Sequence, residues 1–525
     1  MRKYDIIYNH CYAKERKDEK RRKMTLTEKS IDALLKRGET LHLECKTAQG
    51  GLPRSLWESY SAFCNTDGGV IILGVSEVNG TLTIQGVSDS AALIKNFWDD
   101  VNNREKVNTN ILADGNVSAL NCHGKQLVII EVPRANRRVR PVYIGKDVFE
   151  GSYRRNGEGD YKCSRDTVMT MLRDSCEKTA DTAVVETLTL DDLNEESIRR
   201  YRMRFEHHKP DHSWNGLPID KFLKNIGAAR KDEKGVLRPT VAGLVCFGNF
   251  VDIMATLPNY FVDYRERNTD ETRWSDRVCA QDGTWSGNIL DFYSRISDRL
   301  TAEIKKPFAI ADDNVSRIED TDVHKAVREV LANALIHADY YGRRGIVIEK
   351  RFRRLTFANP GAMLMSKEDA VSGGNTEPRN TGIFNIFALV EIGERSGMGL
   401  SNLLAVCKKH GFEDPVIKET FDPDRTIIEL EVAESYKPLQ EFDKKPPRSL
   451  QELDKNLTIN SLDISSTAKR VYKALSEDGT FTQQGLANKF GVSRVTIANA
   501  TATLIKCGLI RRVGSTKGGH WEVVK

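Results

Sequence analysis

Apolar and polar side chains alternate along residues 41–46. Leu43 and Cys45 fall on one face of this segment, and Glu44 and Lys46 fall on the other. Successive side chains of a β-strand point to opposite faces, so this alternation predicts a strand that is buried on one side. The acidic and basic side chains would then lie together on its polar face.

Similar patterns predict an α/β domain over residues 25–178. Helical spacing and cap residues indicate helices, and apolar runs bounded by turn residues indicate buried strands. The predicted helices are Thr25–Lys36, about Pro53–Cys64 and 164–174, and the predicted strands are Val70–Val75, 126–133 and a stretch ending at 151–157. Between them, Asn65, Gly68 and Gly69 are typical of a tight turn, because glycine accepts positive φ.

The remaining pattern divides the chain into further segments, and we expect an α/β multidomain protein. Besides the domain at 25–178, the predicted segments are a basic tail at 1–24, a connecting α/β region at 179–317, a second α/β unit at 318–435, a linker at 436–459 and a compact unit at 460–525. Within the connecting region, residues 237–249 predict a strand and residues 284–304 an amphipathic helix. The linker is polar and contains proline, as flexible connections do.

Composition argues against a membrane-embedded protein. The chain has 525 residues, of which 29% are charged, and its mean hydropathy is −0.46. Its apolar runs, such as 127–132, are far shorter than the roughly 20 residues that span a bilayer, and the amino terminus lacks an apolar signal core. The ten cysteines show no C-x-x-C spacing, which favours reduced thiols. We therefore expect a cytoplasmic protein.

Three glutamates and a lysine fall at strand ends of the first domain. Glu39 precedes Glu44 at the predicted helix-to-strand turn, Lys46 shares the strand face of Glu44, and Glu77 follows the next strand. Converging carboxylates can hold a divalent cation that activates water for phosphoryl chemistry, and Lys46 could then bind the phosphate. The alternative is that these are ordinary solvated charges on a strand edge.

This domain resembles the AlbA-type domain of the Schlafen family. The resemblance is carried by three segments, ETLHLECK (39–46), AFCNTDGGVIILGVSE (62–77) and GSYRRNG (151–157). In Schlafen ribonucleases the positions that match Glu39, Glu44 and Glu77 form a metal-dependent site, so the resemblance implies a nuclease site for Mg²⁺ or Mn²⁺. Glu77 departs from the aspartate that is typical there. Many bacterial members are described only as DNA-binding or regulatory, which leaves both functions open.

A second group of polar residues lies in the second α/β unit. Glu329, Asn333 and His337 follow one another at intervals of four on a predicted helix, with apolar residues on the opposite face. An amide one turn from a carboxylate can bind Mg²⁺ while the carboxylate orients water. A helix with one buried face would give the same pattern. Downstream are a turn at 357–363 and a glycine-rich loop at 393–400, whose backbone amides could receive phosphates.

These segments resemble the GHKL-type ATP-binding fold, an α/β sandwich with an E-x-x-x-N helix, an adenine-side loop and a glycine lid. The resemblance implies that Glu329 orients the attacking water and that Asn333 binds Mg²⁺. It also implies ATP contacts at Asn359, Gly361, Gly397 and Gly399. Asn359 departs from the aspartate of catalytic members, and an amide accepts the adenine hydrogen bond without charge assistance. The sequence contains no G-x-x-x-x-G-K-[ST] motif, which argues against a P-loop motor.

Residues 480–524 have the element order of a winged helix-turn-helix: helix, turn at Gly491, helix and a glycine-tipped basic hairpin. Ser493 is the predicted cap of the second helix. The predicted base contacts are Arg494, Thr496 and Asn499, and the predicted phosphate contacts are Arg511, Arg512 and Lys517. The net charge of +5 is small for the whole chain, but the excess of lysine and arginine in this region favours DNA. The alternative is a winged helix that contacts protein.

Together these segments predict a nucleotide-responsive nucleic-acid-binding protein with ATP and Mg²⁺ or Mn²⁺ as cofactors. Two functions remain open. One is a metal-dependent nuclease that acts on RNA in stress or phage defence. The other is an ATP-binding transcription regulator without nuclease activity. The expected partner is DNA, together with RNA in the first case, and we expect a homo-oligomer.

Overall fold

The computed structural model describes residues 27–432 and 466–523, except for 37, 79, 268–273, 303, 305–320, 353, 375–376, 394–398, 479, 507–508 and 514–519. The chain divides into two compact units, residues 1–436 and 437–525. The predicted tail and linker lie outside the described residues, as do two predicted site residues, Gly397 and Lys517. The α/β multidomain class that the sequence predicts is confirmed by the helices and sheets that follow.

The first domain contains helices, a main sheet and two hairpins. Its helices are α1 (Glu28–Leu35), α2 (Leu56–Asn65), α3 (Ser90–Val101), α4 (Val148–Gly151) and α5 (Arg165–Ser175). Its strands are β1 (Leu43–Lys46), β2 (Gly69–Leu73), β3 (Val75–Val78), β4 (Thr81–Ile84), β5 (Val117–Cys122), β6 (Lys125–Val132), β7 (Tyr153–Asn156) and β8 (Gly159–Lys162).

The main sheet has the strand order β1, β2, β6, β5. β1 runs parallel to β2, and the other pairs are antiparallel. Both faces are covered by helices. Ile71 and Ile130 are buried with residues of α2 and α3, whereas Ile72 and Ile129 are buried with residues of α1. The alternation along β2 and β6 therefore builds two apolar layers, one on each side of the sheet.

The predicted strand Val70–Val75 is interrupted at Gly74. This glycine has a φ of +101°, and a β-carbon there would lie 2.9 Å from the Leu127 side chain. Only glycine satisfies both conditions without strain. The chain turns at this point into β3, which pairs with β4 outside the main sheet, and the exposed Glu77 lies on that hairpin.

The connecting region is mainly helical. Its elements are α6 (Glu195–His208), α7 (Ile219–Asn225), β9 (Ala229–Lys231), β10 (Leu237–Pro239), α8 (Val241–Phe247) and α9 (Phe250–Thr256). The predicted strand at 237–249 is wrong over most of its length, because Thr240 caps α8 by accepting a hydrogen bond from the Gly243 amide at 3.0 Å. Every residue of α8 is buried. A continuous apolar run has no period that could separate a buried helix from a buried strand.

A six-stranded sheet forms the second half of the first unit. Its strands are β11 (Val262–Arg267), β12 (Asp276–Cys279), β13 (Ile346–Arg351), β14 (Arg354–Pro360), β15 (Val416–Thr420) and β16 (Arg425–Glu431), and they lie in the order β12, β11, β13, β14, β16, β15. β11 and β13 are parallel, and the other neighbours are antiparallel. The helices of this half are α10 (Ile289–Thr301), α11 (Asp322–Ile336), α12 (Lys367–Ser372), α13 (Thr381–Leu389) and α14 (Gly399–His410).

Helices cover one face of this sheet. Ile348, Phe357 and Ile428 point toward them and are buried in a core that also contains Val327 and Leu331 of α11. α11 packs against β14, α10 and α14. The alternate side chains of the same strands point to the opposite face of the sheet. The polar residues of α11 therefore lie on the helix-covered side of the sheet. The alternate side chains of β13 and β14 point to the other side.

The second unit contains three helices and a two-stranded antiparallel sheet in its described part. These are α15 (Ser466–Glu477), α16 (Gln483–Phe490), α17 (Arg494–Lys506), β17 (Ile510–Val513) and β18 (His520–Val523). Gly491 ends α16 with a φ of +65°, and the Ser493 hydroxyl accepts from the Thr496 amide at 3.1 Å at the start of α17. The predicted turn and cap are confirmed. The winged-helix assignment stays a prediction.

Candidate functional site

A fully buried arginine organises the carboxylates of the first domain. Arg155 on β7 donates from Nη1 to Glu44 Oε2 at 2.7 Å and to Asp160 Oδ1 at 3.0 Å. From Nη2 it donates to the carbonyl oxygens of Thr40 and Leu43 at 2.9 and 3.0 Å. One guanidinium therefore joins β1, the turn before it and the β7–β8 hairpin.

Glu44 has a cation at each of its carboxylate oxygens. Oε1 accepts a hydrogen bond from Lys46 Nζ at 2.5 Å, and Oε2 accepts from Arg155. The residue is only 6% exposed. A buried carboxylate is stable only when its charge is matched in this way. A metal ion bound by Glu44 would share this carboxylate with the two cations, because each carboxylate oxygen has two lone pairs.

Glu44 and Glu77 both lie close enough to Glu39 for their charges to interact with it. Glu39 Oε1 accepts a hydrogen bond from the Cys45 amide at 2.8 Å. Burial raises the pKa of Glu39, and the Glu44 and Glu77 charges raise that pKa further. Carboxylates of this kind are the ligands that Mg²⁺ and Mn²⁺ accept. The structure thus gathers the predicted residues, with Lys46 bound to one of them.

The carboxylate oxygens of these three glutamates do not all lie within 4.8 Å of one another. In the part of the chain that the structure describes, the metal-type ligands that meet this distance are Glu28, Cys122 and His123. His123 is paired there with Glu28 at 2.9 Å and with Asp32 at 3.0 Å. These ion pairs explain why Glu28, Cys122 and His123 lie together: they connect α1 to the β5–β6 turn.

Asn65 has the structural role that the sequence predicts. Its Nδ2 donates to the carbonyl oxygens of Val142 and Tyr153 at 2.7 and 3.0 Å, and its Oδ1 accepts from the Val142 amide at 2.8 Å. Gly69 completes the turn at a point where a β-carbon would lie 2.5 Å from the Phe63 ring. These contacts fix the start of β2 against its neighbours.

Three arginines of the first domain contact two loops of the second sheet. Arg134 Nη2 donates to the Met363 carbonyl, Arg140 Nη2 donates to the Leu364 carbonyl at 2.9 Å, and Arg154 Nη1 bonds Asp424 Oδ1 at 2.6 Å. We call these three contacts the arginine bridge. Burial lowers the pKa of Arg140 to about 9, and the Arg134 charge contributes in the same direction. The bridge therefore holds the loop after β14 and the turn before β16 against the first domain.

A second set of contacts joins the same two domains around Arg379. Its Nε and Nη2 form a bidentate pair with Asp174 at 3.0 Å each, and it also donates to the carbonyl oxygens of His337 and Ala362 at 2.7 Å. Burial and the adjacent Arg379 charge lower the pKa of His337 to about 4. His337 is therefore neutral near pH 7, and it ends α11 where that helix meets the domain interface.

Glu329, Asn333 and Gly399, which the sequence analysis assigns to a nucleotide site, lie close together. Asn333 Nδ2 donates to Glu329 Oε1 at 3.3 Å across one turn of α11. A β-carbon on Gly399, the first residue of α14, would lie 2.7 Å from Asn333 Nδ2. The missing side chain gives α14 close access to the polar face of α11. The side-chain oxygens of Glu329 and Asn333 are a donor set that suits Mg²⁺.

Asn359 and Gly361 form a separate group at the end of β14. Asn359 is buried, and its Nδ2 donates weakly to the Pro360 carbonyl at 3.5 Å. Gly361 has a φ of +97°, and a β-carbon there would lie 2.4 Å from Arg379 Nη1. The absence of a side chain at Gly361 thus makes room for the interdomain arginine.

The predicted DNA-contact residues of α17 are all exposed. Arg494, Thr496 and Asn499 are exposed, whereas Ile497 and Ala500 of the same helix are buried. In the hairpin, Arg511 pairs with Glu522 at 2.8 Å, and the Arg512 guanidinium lies 5.2 Å from the centre of the Trp521 ring. Exposed pairs of this kind are weak and leave arginine able to change partners.

The residues that the sequence analysis missed are mainly buried arginines and the acids that face them. Arg155 stands inside a segment that carries the family resemblance, yet nothing in a single sequence identifies Glu44 as its partner. One signal was available. Successive side chains of a strand point to opposite faces, so one of the adjacent Arg154 and Arg155 had to point inward. A buried guanidinium in turn requires a carboxylate partner.

Three family models match separate parts of the chain. Residues 39–164 match "Schlafen, AlbA_2", residues 169–263 match a domain of unknown function (DUF8451), and residues 344–427 match "Putative ATP-dependent DNA helicase recG C-terminal". The chain therefore carries a Schlafen AlbA_2 domain and a RecG C-terminal-like domain, which indicate a nucleic-acid-related, ATP-binding function. The last match begins after the helix that bears Glu329 and Asn333, so it does not include them.

Two solved structures are similar to this chain at low identity. The DIP2311 protein from Corynebacterium diphtheriae is 17% identical, with 94% of this chain and 96% of that chain covered and a TM-score of 0.39. The N-terminal domain of a RecG-related protein from Nitrosomonas europaea is 23% identical, with 26% of this chain and 94% of that chain covered and a TM-score of 0.22. These scores are too low to inform function. No curated protein matches the chain.

Each helix in the described part of the chain is too short or too polar to cross a membrane.

Replacing Arg155 should destabilise the first unit. Arg155→Met leaves Glu44 and Asp160 without their guanidinium partner, and breaking a buried ion pair costs about 3–5 kcal/mol. Lys162→Met is the matched control, since Lys162 lies on the partner strand and its pair with Glu150 is exposed. Urea unfolding followed by intrinsic fluorescence measures both variants. Equal losses would contradict a special role for Arg155.

His337 should make stability fall on acidification. Its pKa in the folded chain is about 4, below the ordinary value of 6.5. Between these values the unfolded chain binds a proton that the folded chain does not, so the contribution is complete above pH 6.5 and is lost as the pH falls toward 4. The midpoint of thermal unfolding should drop less between pH 7 and pH 5 in His337→Gln than in the wild type. Parallel curves for the two proteins would contradict this.

Proposed function

We propose that this chain, which carries a Schlafen AlbA_2 domain and a RecG C-terminal-like domain, is a nucleotide-responsive nucleic-acid-binding protein. In this proposal ATP and Mg²⁺ bind the second domain, and their binding changes the affinity of the chain for nucleic acid. DNA is the main partner, and regulation of transcription is the proposed role. The expected homo-oligomer and cytoplasmic location stay predictions.

The observation that carries this proposal is the arginine bridge. Asn359 and Gly361 lie at the end of β14. Two arginines of the bridge donate hydrogen bonds to the carbonyls of Met363 and Leu364, which follow shortly after. Two sites are coupled when a ligand at one binds two arrangements of the chain with different affinities. A nucleotide that moved the loop after β14 would move the groups to which the arginines of the AlbA_2 domain are bonded.

The residues on α11 and α14 suit the proposed nucleotide. Asn333 and Glu329 would hold Mg²⁺ through side-chain oxygens, and the glycine at 399 leaves backbone close to that face. ATP bound here would supply the phosphoryl group for hydrolysis, and the backbone at Gly399 would be placed to hold its phosphates. Glu329 is then placed to orient water, which makes weak hydrolysis a further part of the proposal.

The proposed DNA contacts of the second unit are on α17 and the hairpin. Arg494, Thr496 and Asn499 are exposed in the amino-terminal half of α17. This is the part of a recognition helix that reaches base edges in helix-turn-helix proteins. Arg511 and Arg512 would contact phosphate.

The proposal predicts that ATP·Mg²⁺ changes nucleic-acid affinity and that the change needs the bridge. Couplings between sites are typically about 5- to 150-fold in affinity. Asn333→Ala should abolish the effect by removing the metal ligand. Arg154→Ala should keep ATP binding but reduce the effect of ATP on nucleic acid, because it releases Asp424. Fluorescence anisotropy with labelled duplex DNA, with and without ATP·Mg²⁺, measures both.

Arg343→Gln is the control for Arg154→Ala. Arg343 also pairs across the domain interface, with Asp166 at 2.7 Å, but both side chains are largely exposed. An exposed pair contributes little. This variant should therefore respond to ATP like the wild type. The proposal would be contradicted by a wild-type protein whose DNA affinity is the same with and without ATP.

The second candidate function is a metal-dependent nuclease in stress or phage defence. It is favoured by the proximity of three glutamates, because burial raises the pKa of Glu39 and the Glu44 and Glu77 charges raise it further. A divalent ion at this place would offset that repulsion, and Lys46 would face the phosphate. At Glu44 the ion would share the carboxylate with Arg155 and Lys46, whose positive charges would oppose its binding.

Glu77→Gln tests the nuclease more cleanly than a change at Glu44, because Glu77 is exposed on a hairpin and Glu44 is an anchor of the fold. The nuclease candidate predicts cleavage of labelled tRNA, single-stranded DNA or duplex DNA by the wild type with Mg²⁺ or Mn²⁺. It predicts that Glu77→Gln loses cleavage while unfolding at the same temperature. A wild type that cleaves none of the three, or an equally active variant, contradicts it.

A further inference from the structure

A cavity of about 810 Å³ lies over the face of the second sheet that the helices leave uncovered. Its floor is formed by outward side chains of the sheet, among them Val347, Ala358 and Ile427. One wall is the segment before β11, and the other is the turn between β15 and β16. Pockets of roughly 300–1,000 Å³ accommodate small organic ligands.

Three arginines, Arg265, Arg344 and Arg425, line this cavity. Arg425 is 8% exposed, and its Nη1 and Nη2 donate to the backbone carbonyls of Arg344 and Ala358 at 3.0 and 3.1 Å. Within the residues that the structure describes, neither Arg344 nor Arg425 forms an ion pair with a carboxylate. Burial, together with the nearby Arg344 and Arg265 charges, lowers the pKa of Arg425.

The acidic residues around the cavity do not cancel this charge. Arg265 bonds Asp263 at 2.6 Å, but Asp263 also pairs with Arg277 at 2.8 Å. Glu349 lies 3.4 Å from Arg267. Asp422 stands on the turn at the opposite wall. A buried guanidinium beside two others, matched only by carbonyl groups, is costly unless an anion joins it.

Aromatic rings complete the walls. Phe261 lies beside the arginines on one side, and Phe421 stands on the other. The Arg154 guanidinium lies 4.1 Å from the centre of the Phe421 ring and bonds Asp424 at 2.6 Å. The AlbA_2 domain therefore supports one wall of the cavity. Planar rings next to guanidinium groups suit a ligand that combines a base with a phosphate.

We propose that this cavity is a binding site for a nucleoside monophosphate, with Arg344 and Arg425 on the phosphate and Phe261 and Phe421 beside the base. The proposal does not depend on the ATP site, because Ile346 and Ile348 of β13 are buried in the core under the helices whereas Val347 and Glu349 line the cavity. The two sites lie on opposite faces of one sheet. The same phosphate chemistry could be supplied by a free nucleotide or by the end of a nucleic-acid strand.

Calorimetric titration of the full-length Asn333→Ala protein tests this site without a contribution from α11. The probes are AMP, adenosine, inorganic phosphate and a 5′-phosphorylated tetranucleotide. We expect AMP to bind at least roughly tenfold more tightly than adenosine, since the charged hydrogen bonds to phosphate are lost in adenosine. Arg344→Gln should weaken AMP binding by a similar factor, because it removes a charged partner of the phosphate. The variant should remain folded, since Arg344 is exposed and its backbone carbonyl still accepts from Arg425.

Arg343→Gln is the matched control, because it removes the adjacent exposed arginine, which does not line the cavity. Its AMP affinity should equal that of the parent protein. Arg425→Lys, which keeps the charge but loses the fork, should also weaken AMP binding, and thermal unfolding confirms that each variant is folded. A tetranucleotide that binds more tightly than AMP, with the same loss in Arg344→Gln, assigns the phosphate to nucleic acid. The proposal is overturned if none of the phosphate-bearing probes binds, or if Arg344→Gln and Arg425→Lys both bind like Arg343→Gln.

Discussion

Buried guanidinium groups are the constraint on which the first unit depends. A charge removed from water is stable only where groups of opposite polarity surround it. Arg155, Arg140 and Arg379 meet this requirement with carboxylates and carbonyls from other segments. Because each partner belongs to a different part of the chain, β1, the loop after β14 and α5 cannot shift independently. The AlbA_2 and RecG C-terminal-like domains are therefore parts of one framework.

The same constraint separates two views of the carboxylate cluster. In a nuclease the glutamates would face a metal ion, and in a binding protein they would face the protein's own cations. Glu44 faces Lys46 and Arg155. Each of its oxygens accepts a hydrogen bond from a cation, whereas Glu77 is exposed on the β3–β4 hairpin. Glu44 is thus needed for the fold, whereas Glu77 is not. Substitutions at Glu77 can therefore test chemistry without changing stability.

Local signals explain which features the sequence could predict. The helix of Glu329 and Asn333 has a strict period, and the cap at Ser493 and the turn at Gly491 act within a few residues, so all of them can be read without tertiary information. The strand predicted at 237–249 failed because a fully buried run has no period. The arginine partners and the cavity could not be predicted, since they depend on residues brought together across the chain.

The contact between Glu44 and Arg155 also sets an order of events during synthesis. The two residues are separated by 111 positions. At about 5–20 residues per second, β1 leaves the ribosome roughly 6–20 seconds before its guanidinium partner is made. During that interval Lys46 is available to Glu44 but Arg155 is not, so the carboxylate lacks one of its two charged partners. The ion pair between Glu44 and Arg155 can therefore form only after the last hairpin of the domain has been synthesised.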